Sequence, residues 1–187
     1  MSAANYPRVP VKTRAEWRRW LRDHHAKERG AWLVSHRRVT GKPAVEYDDA
    51  VREALCYGWI DSVVKPLDVE RTLSLYTPRK AGSGWSRSNK ERVQELVAEG
   101  RMSAAGLAKI EAAKKDGSWT LLDSVEALEV PPDLKKALGV AGLKRFDALT
   151  RSKRREHLYA LVTAKRPETR AKRVADVVRS LKLNGPR

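Results

Sequence analysis

The stretch EALCYGWIDSVVKPLDVERTLSLYTPRKAGSGWSRSNKER, residues 53–92, decides the fold that we predict for this chain. It holds the only cysteine of the chain, two of its six tryptophans, and a loop rich in glycine, serine and cations. Apolar and polar residues alternate at 59–64 and at 71–77, which predicts two half-buried strands joined as a hairpin. A purely structural core segment would not need so many polar and aromatic groups in alternation, so we expect the hairpin to contribute to a pocket.

Helical patterns precede this hairpin. Thr13 and Glu16 have the spacing of a capping box, and the helix that they open is expected to stop at Gly30. The apolar run at 31–35 is typical of a buried strand, and the apolar stripe of 47–57 predicts a second helix. After the hairpin, helices are expected again.

The C-terminal part carries helical patterns only, and Pro131-Pro132 marks the clearest boundary because two prolines disrupt regular pairing. We therefore predict two domains, an α+β domain over 1–130 with the pocket and a basic helical module over 131–187. The fold class is α+β, with a small, mostly antiparallel sheet, surrounding helices and an all-helical C-terminal module.

Charge is unevenly distributed along the 187 residues, whose formal net charge is +16. Residues 131–187 contain 16 Lys and Arg against 5 Asp and Glu, a net of +11. This asymmetry favours an anionic partner such as nucleic acid or an acidic membrane surface, although solvated helix faces explain it as well. There is no apolar run long enough to span a bilayer and no export signal, and a single cysteine suits a reducing compartment, so we expect a cytoplasmic protein.

The pocket hypothesis rests on side chains that the hairpin and the following loop bring together. Pairing of the two strands would place Asp61 on the same face as Tyr76, while the loop 78–87 leads into a helix N-terminus, which suits a phosphate or carboxylate. The predicted partner is thus a small anionic ligand, although a structural network around Asp61 is the open alternative. The predicted ligand-binding residues are Trp59, Asp61, Tyr76, Arg79, Lys80, Trp85 and Asn89: the two cations hold the anion, Asn89 orients it and the aromatic rings form walls.

An enzyme could use the same pocket, with Asp61 as general acid and base and Tyr76 as its partner. Cys56 is expected to be a small buried residue, because no histidine lies near it in sequence to act as a base. Neither a metal-ligand spacing nor a nucleotide-cofactor fingerprint is found, so the sequence identifies no cofactor.

The third hypothesis is nucleic-acid binding through the basic C-terminal helices. Lys165, Arg166, Arg170 and Arg173 lie close together in sequence and could neutralise phosphates from one helix face. No aromatic residue interleaves with them, so base stacking is not indicated.

Several ordered motifs resemble the YdeI/OmpD-associated family, whose members are described as bacteriocin-protection proteins. They comprise 53–61, 76–80, 85–93, 99–102 and the run 164–170, and the resemblance spans roughly residues 15–182. Tyr159 stands where the terminal module of that family often has tryptophan. The resemblance implies a bacterial protein associated with resistance to antimicrobial peptides, and it implies no particular reaction.

Overall fold

The computed structural model describes residues 5–183 and has an α+β fold, as predicted, with eight α-helices and one four-stranded sheet in that range. The strands are β1 (Arg8–Pro10), β2 (Ala31–His36), β3 (Trp59–Pro66) and β4 (Arg71–Pro78). The helices are α1 (Arg14–His24), α2 (Tyr47–Cys56), α3 (Arg87–Ala98), α4 (Ala104–Lys115), α5 (Asp123–Glu126), α6 (Pro132–Asp147), α7 (Arg151–Val162) and α8 (Pro167–Leu183).

The sheet has the strand order β1-β2-β4-β3 and is mostly antiparallel, as predicted. Only β1 runs parallel to its neighbour, whereas β4 pairs antiparallel with both β2 and β3. Asp61 lies opposite Tyr76, so these two side chains share a face. The predicted alternation beyond Asp61 is wrong, because a bulge between Asp61 and Val64 places Val64 opposite Ser74 and therefore on the Asp61 face.

Helices α1 and α2 cover the sheet face that carries Tyr76. The indole N–H of Trp17 donates to the carbonyl of Ala50 at 3.1 Å, which ties α1 to α2. The same ring packs on Tyr76 with ring centroids 5.2 Å apart. The opposite face has its own apolar cluster of Trp32, Val34, Leu73 and Leu75. Both faces of the small sheet are thus occupied by buried residues.

The chain divides into two compact units, residues 5–83 with 88–119, and residues 84–87 with 120–183. The second unit is helical apart from its short connections, and it has a core of Leu122, Val125, Leu134, Phe146, Leu158, Leu161, Val177 and Leu181. Pro131 and Pro132 lie inside this unit, where Pro132 begins α6. The division into domains at 130/131 stays a prediction.

Helix α1 ends earlier than predicted. It ends at His24, well before Gly30, which is buried immediately before β2. Helices follow the hairpin as predicted: α3 begins at Arg87, and Ile110 and Ala113 lie on the buried side of α4.

Thr13 caps α1 as predicted, accepting a hydrogen bond from the amide of Glu16 at 3.2 Å. The Glu16 carboxylate in turn accepts from the amide of Lys12 at 2.7 Å. Within residues 5–183, no helix has both the length and the hydrophobicity that crossing a bilayer requires.

Candidate functional site

A hollow of about 250 Å³ lies on the helix-covered face of the sheet, beside the start of α2. We call it the sheet hollow. Its floor consists of side chains from β2, β3 and β4, and its wall consists of the segment that leads into α2. The lining residues are Leu33, Ser35, His36, Arg37, Arg38, Ala44, Val45, Glu46, Tyr47, Ala50, Val64, Thr72, Ser74 and Tyr76.

Tyr76 lines the sheet hollow from β4 and is fully buried. Its hydroxyl has no hydrogen-bond partner among the described residues. Burial, followed by the nearby charge of Asp61, raises the pKa of Tyr76 far above its ordinary value, so the phenol stays protonated. A buried hydroxyl without a partner is costly, and it is therefore a group that a bound molecule or an ordered water would satisfy.

Asp61 and Tyr47 form a hydrogen bond beside this hydroxyl. The Tyr47 hydroxyl donates to Asp61 Oδ2 at 2.6 Å, which links α2 to β3. Burial and the Asp61 carboxylate raise the pKa of Tyr47 to about 12. Asp61 and Tyr76 share a face, as predicted, and Asp61 also accepts a hydrogen bond from a second tyrosine, Tyr47, which the sequence analysis did not identify.

Three basic side chains border the other end of the sheet hollow. His36 ends β2, and Arg37 and Arg38 follow it directly at the entrance to a short 3₁₀ helix. Both arginines are exposed, and neither makes a side-chain hydrogen bond or an ion pair within residues 5–183. The sequence analysis missed these residues because they lie outside the 53–92 stretch.

Trp59 and Arg79, both predicted site residues, are buried in the first unit. Trp59 is 1% exposed, stands edge-on to Trp20, and its indole N–H donates to the carbonyl of His25 at 3.3 Å. Arg79 is 6% exposed, and burial lowers its pKa to about 10, against the opposing effect of Asp61. Neither residue lines the sheet hollow.

The remaining predicted ligand residues are dispersed. Lys80 is exposed, and the amide oxygen of Asn89 accepts a hydrogen bond from Arg92 at 3.0 Å. Trp85 is 1% exposed and belongs to the second unit, whereas Trp59 belongs to the first. Of the predicted set, only Tyr76 lines the sheet hollow, and Asp61 lies opposite it on β3, hydrogen-bonded to Tyr47. The ligand role of every residue of the set stays a prediction.

The glycine loop after β4 does not present all of its amides to solvent. The amide of Gly82 donates to Asp116 Oδ2 at 3.0 Å, while Oδ1 of the same carboxylate accepts from the amide of Ser118 at 2.9 Å. A hydrogen bond from the Ser118 side chain, together with those from the Ser118 and Gly82 amides, holds the pKa of Asp116 below its usual value. The Gly82 amide is therefore hydrogen-bonded to a carboxylate of the chain itself, although the sequence analysis predicted that this loop suits an external anion.

Glu53 forms the most buried ionic cluster of the first unit. Its side chain has no exposed surface, and it accepts from Arg14 at 2.5 Å, from Arg18 at 2.5 Å and from Arg101. The cluster joins α1, α2 and the segment before α4. Cys56, one turn further along α2, is buried as predicted, and burial raises the pKa of its thiol. A thiol in this state is a poor nucleophile.

The four predicted phosphate-binding residues differ in the contacts that they make. Arg170 donates to both oxygens of Asp133, at 2.6 and 2.9 Å, and to the carbonyl of Leu161 at 3.1 Å. Arg173 donates to the carbonyl of Ala160 and to the hydroxyl of Thr163. Lys165 and Arg166 are exposed between α7 and α8. Two of the four therefore hold the helical unit together.

No group of three or more His, Cys, Asp or Glu side chains suited to a metal ion occurs in the described part of the chain. A second hollow, of about 310 Å³, lies in the helical unit and is lined mostly by apolar side chains of α5, α7 and the proline segment.

The fold and the hollow together define the class of this protein. It is an α+β chain with a helix-covered four-stranded sheet, a polar hollow on that sheet and a helical unit. Residues 9–109 match the model of a family described as a domain of unknown function, DUF8412, and the chain belongs to that family. Residues 127–184 match the family described as "Bacteriocin-protection, YdeI or OmpD-Associated".

The second match confirms the predicted resemblance for the C-terminal helices. The motifs of 53–61, 76–80, 85–93 and 99–102 fall within the first match, so the predicted span of 15–182 is wider than the segment that the second match covers. Comparisons with curated proteins and with solved structures found no match.

Proposed function

We propose that this chain binds a small anionic ligand in the sheet hollow. The observation that carries the proposal concerns Tyr76, which lines the hollow and whose buried hydroxyl has no hydrogen-bond partner among the described residues. The anionic group lies at the basic end, near Arg37 and Arg38, where guanidinium groups can bind a phosphate or carboxylate. The Tyr76 hydroxyl then forms a hydrogen bond with the inner part of the ligand.

The biological setting that we propose is bacteriocin or antimicrobial-peptide protection in a bacterium, since the second matched family carries that description. The protein would act indirectly, because a chain of net charge +16 repels cationic peptides. A cytoplasmic location is part of the proposal and is supported by Cys56, the only cysteine and a free thiol.

A thermal-shift screen of anionic metabolites tests the proposal. A ligand of the sheet hollow raises the melting temperature of the wild type, because a molecule that binds only the native state stabilises it by mass action. The double variant Arg37→Ala/Arg38→Ala loses that shift, and Tyr76→Phe weakens binding by about tenfold, the value of roughly one hydrogen bond.

The control is Lys27→Ala/Lys115→Ala, which removes two exposed charges of the same unit away from the hollow. It keeps the wild-type shift. Equal shifts in the wild type and in the Arg37→Ala/Arg38→Ala variant would refute the assignment of the anion to this rim.

The hydrogen bond between Tyr47 and Asp61 also supports the enzyme alternative, because it holds a carboxylate next to the Tyr76 hydroxyl. In that case Asp61 acts as general base and Tyr76 as its partner. If the wild type turns over a bound anion, and Asp61→Asn abolishes the turnover but not the binding, the protein is an enzyme. If the wild type binds a ligand without turning it over, the protein only binds.

A further inference from the structure

We infer a second interaction surface, beyond the proposed ligand site: a phosphate-binding patch on the helical unit that holds the backbone of a nucleic acid without reading its sequence. It consists of Lys136, Lys165 and Arg166, and we call it the cationic patch.

These side chains take no part in ion pairs among the described residues of the helical unit. Five cations of α7 and α8 are paired with carboxylates, namely Lys153, Arg154, Arg155, Arg170 and Arg179. Others are exposed and make no side-chain hydrogen bond or ion pair within residues 5–183: Lys135, Lys136, Lys144, Arg145, Lys165, Arg166 and Lys172. Internal pairing thus accounts for only part of the positive charge of these helices.

The Asp133–Arg170 ion pair brings three of these seven cations close together. Its two hydrogen bonds, of 2.6 and 2.9 Å, fix the first turn of α6 beside the first turns of α8. Lys136 follows Asp133 by three residues within α6, so the two share a helix face. Arg166 directly precedes α8, where its carbonyl accepts from the Arg170 amide at 3.0 Å, and Lys165 is its neighbour in sequence.

The chemistry of the patch favours phosphates over bases and over lipid. Lysine and arginine neutralise phosphates regardless of sequence, and none of the three patch residues is an aromatic residue on which a base could stack. Binding within a membrane interface requires bulky apolar side chains beside the cations. The large apolar residues of these helices, such as Leu134, Phe146 and Val177, are buried in the core, and the exposed Val140 is a single small side chain.

The test is fluorescence anisotropy with a labelled duplex of about 20 base pairs, titrated at several salt concentrations. The variant is Lys136→Ala/Arg166→Ala, and the control Lys27→Ala/Lys115→Ala removes the same charge from the other unit. We expect the patch variant to bind about tenfold more weakly at about 50 mM salt, and the slope of log affinity against log salt to fall by about 1.5 to 2. The control keeps the wild-type slope, and a duplex of scrambled sequence binds equally well.

Three results would overturn the inference. The first is an absence of binding by the wild type at low salt. The second is an equal loss of affinity for the duplex in the patch variant and in the control, which would show that only the net charge of the protein matters. The third is binding to vesicles containing an anionic phospholipid without binding to the duplex, which would assign the patch to a membrane surface.

Discussion

Glu53 holds the first unit together, although no sequence pattern marks it. Its carboxylate is fully buried and accepts hydrogen bonds from Arg14 and Arg18 of α1 and from Arg101, whose side chains each stay about a third exposed. The sequence analysis did not single out Glu53, because these partners are remote along the chain. Long-range ion pairs of this kind have no local pattern.

Glu53→Gln should therefore destabilise the first unit strongly. An uncharged amide leaves three guanidinium groups facing one another, which costs about 3 kcal/mol, at the low end for a broken buried pair because the arginines reach solvent. Urea unfolding followed by tryptophan fluorescence measures the change. Glu95→Gln, whose carboxylate is 54% exposed and paired with Arg52, is the control and should cost less than about 1 kcal/mol. Similar costs for both variants would contradict the role of Glu53.

Helix α4 lies directly against the end of α2, and Gly106 permits this approach. A Cβ atom at Gly106 would lie 2.3 Å from the carbonyl oxygen of Cys56, closer than real Cβ atoms come. The amide of Ser103 and its hydroxyl both donate to that same oxygen, at 3.1 and 2.6 Å, so the oxygen cannot easily move away.

Gly106→Ala should force the two helices apart and cost about 2 kcal/mol or more. The matched variant is Gly41→Ala, where the backbone φ is +63° and nothing lies within 4 Å. That change carries only conformational strain, about 1 kcal/mol. Thermal unfolding by circular dichroism compares them, and a smaller loss for Gly106→Ala than for Gly41→Ala would show that the helices repack without strain.

The capping box at Thr13 predicted the start of α1, and periodicity predicted both strands of the hairpin and helix α2. It did not predict the bulge after Asp61, because an extra residue in one strand is set by pairing and not by composition. For the candidate site, the alternation predicted correctly that Asp61 and Tyr76 share a face. Tyr47, Arg37 and Arg38 come from other segments, and only the tertiary fold brings them to the same hollow.

Acid should destabilise the whole molecule. The pKa values of Asp48 and Asp133 are lowered, mainly by hydrogen bonds from Arg52 and Arg170 respectively. Carboxylates with a lowered native pKa stabilise the fold above their unfolded value, about 4, and this contribution is lost as the pH falls through the native pKa. Protonation also increases the net charge beyond +16, so self-repulsion grows in the same direction.

We therefore expect the free energy of unfolding to decrease from about pH 5 to about pH 2. Asp133→Asn should show a shallower decrease, and urea titrations at a series of pH values measure both. A pH profile of Asp133→Asn that is as steep as that of the wild type would show that the ion pair with Arg170 contributes nothing to the acid response.

The proposed ligand site in the sheet hollow can be checked in a crystal of the protein purified without added ligand. The electron density in the hollow is the decisive observation. We predict density for a small anionic molecule that hydrogen-bonds to the Tyr76 hydroxyl and extends toward Arg37 and Arg38. A hollow that holds only ordered water, with one water joining the Tyr76 hydroxyl to neighbouring protein groups, would contradict the account.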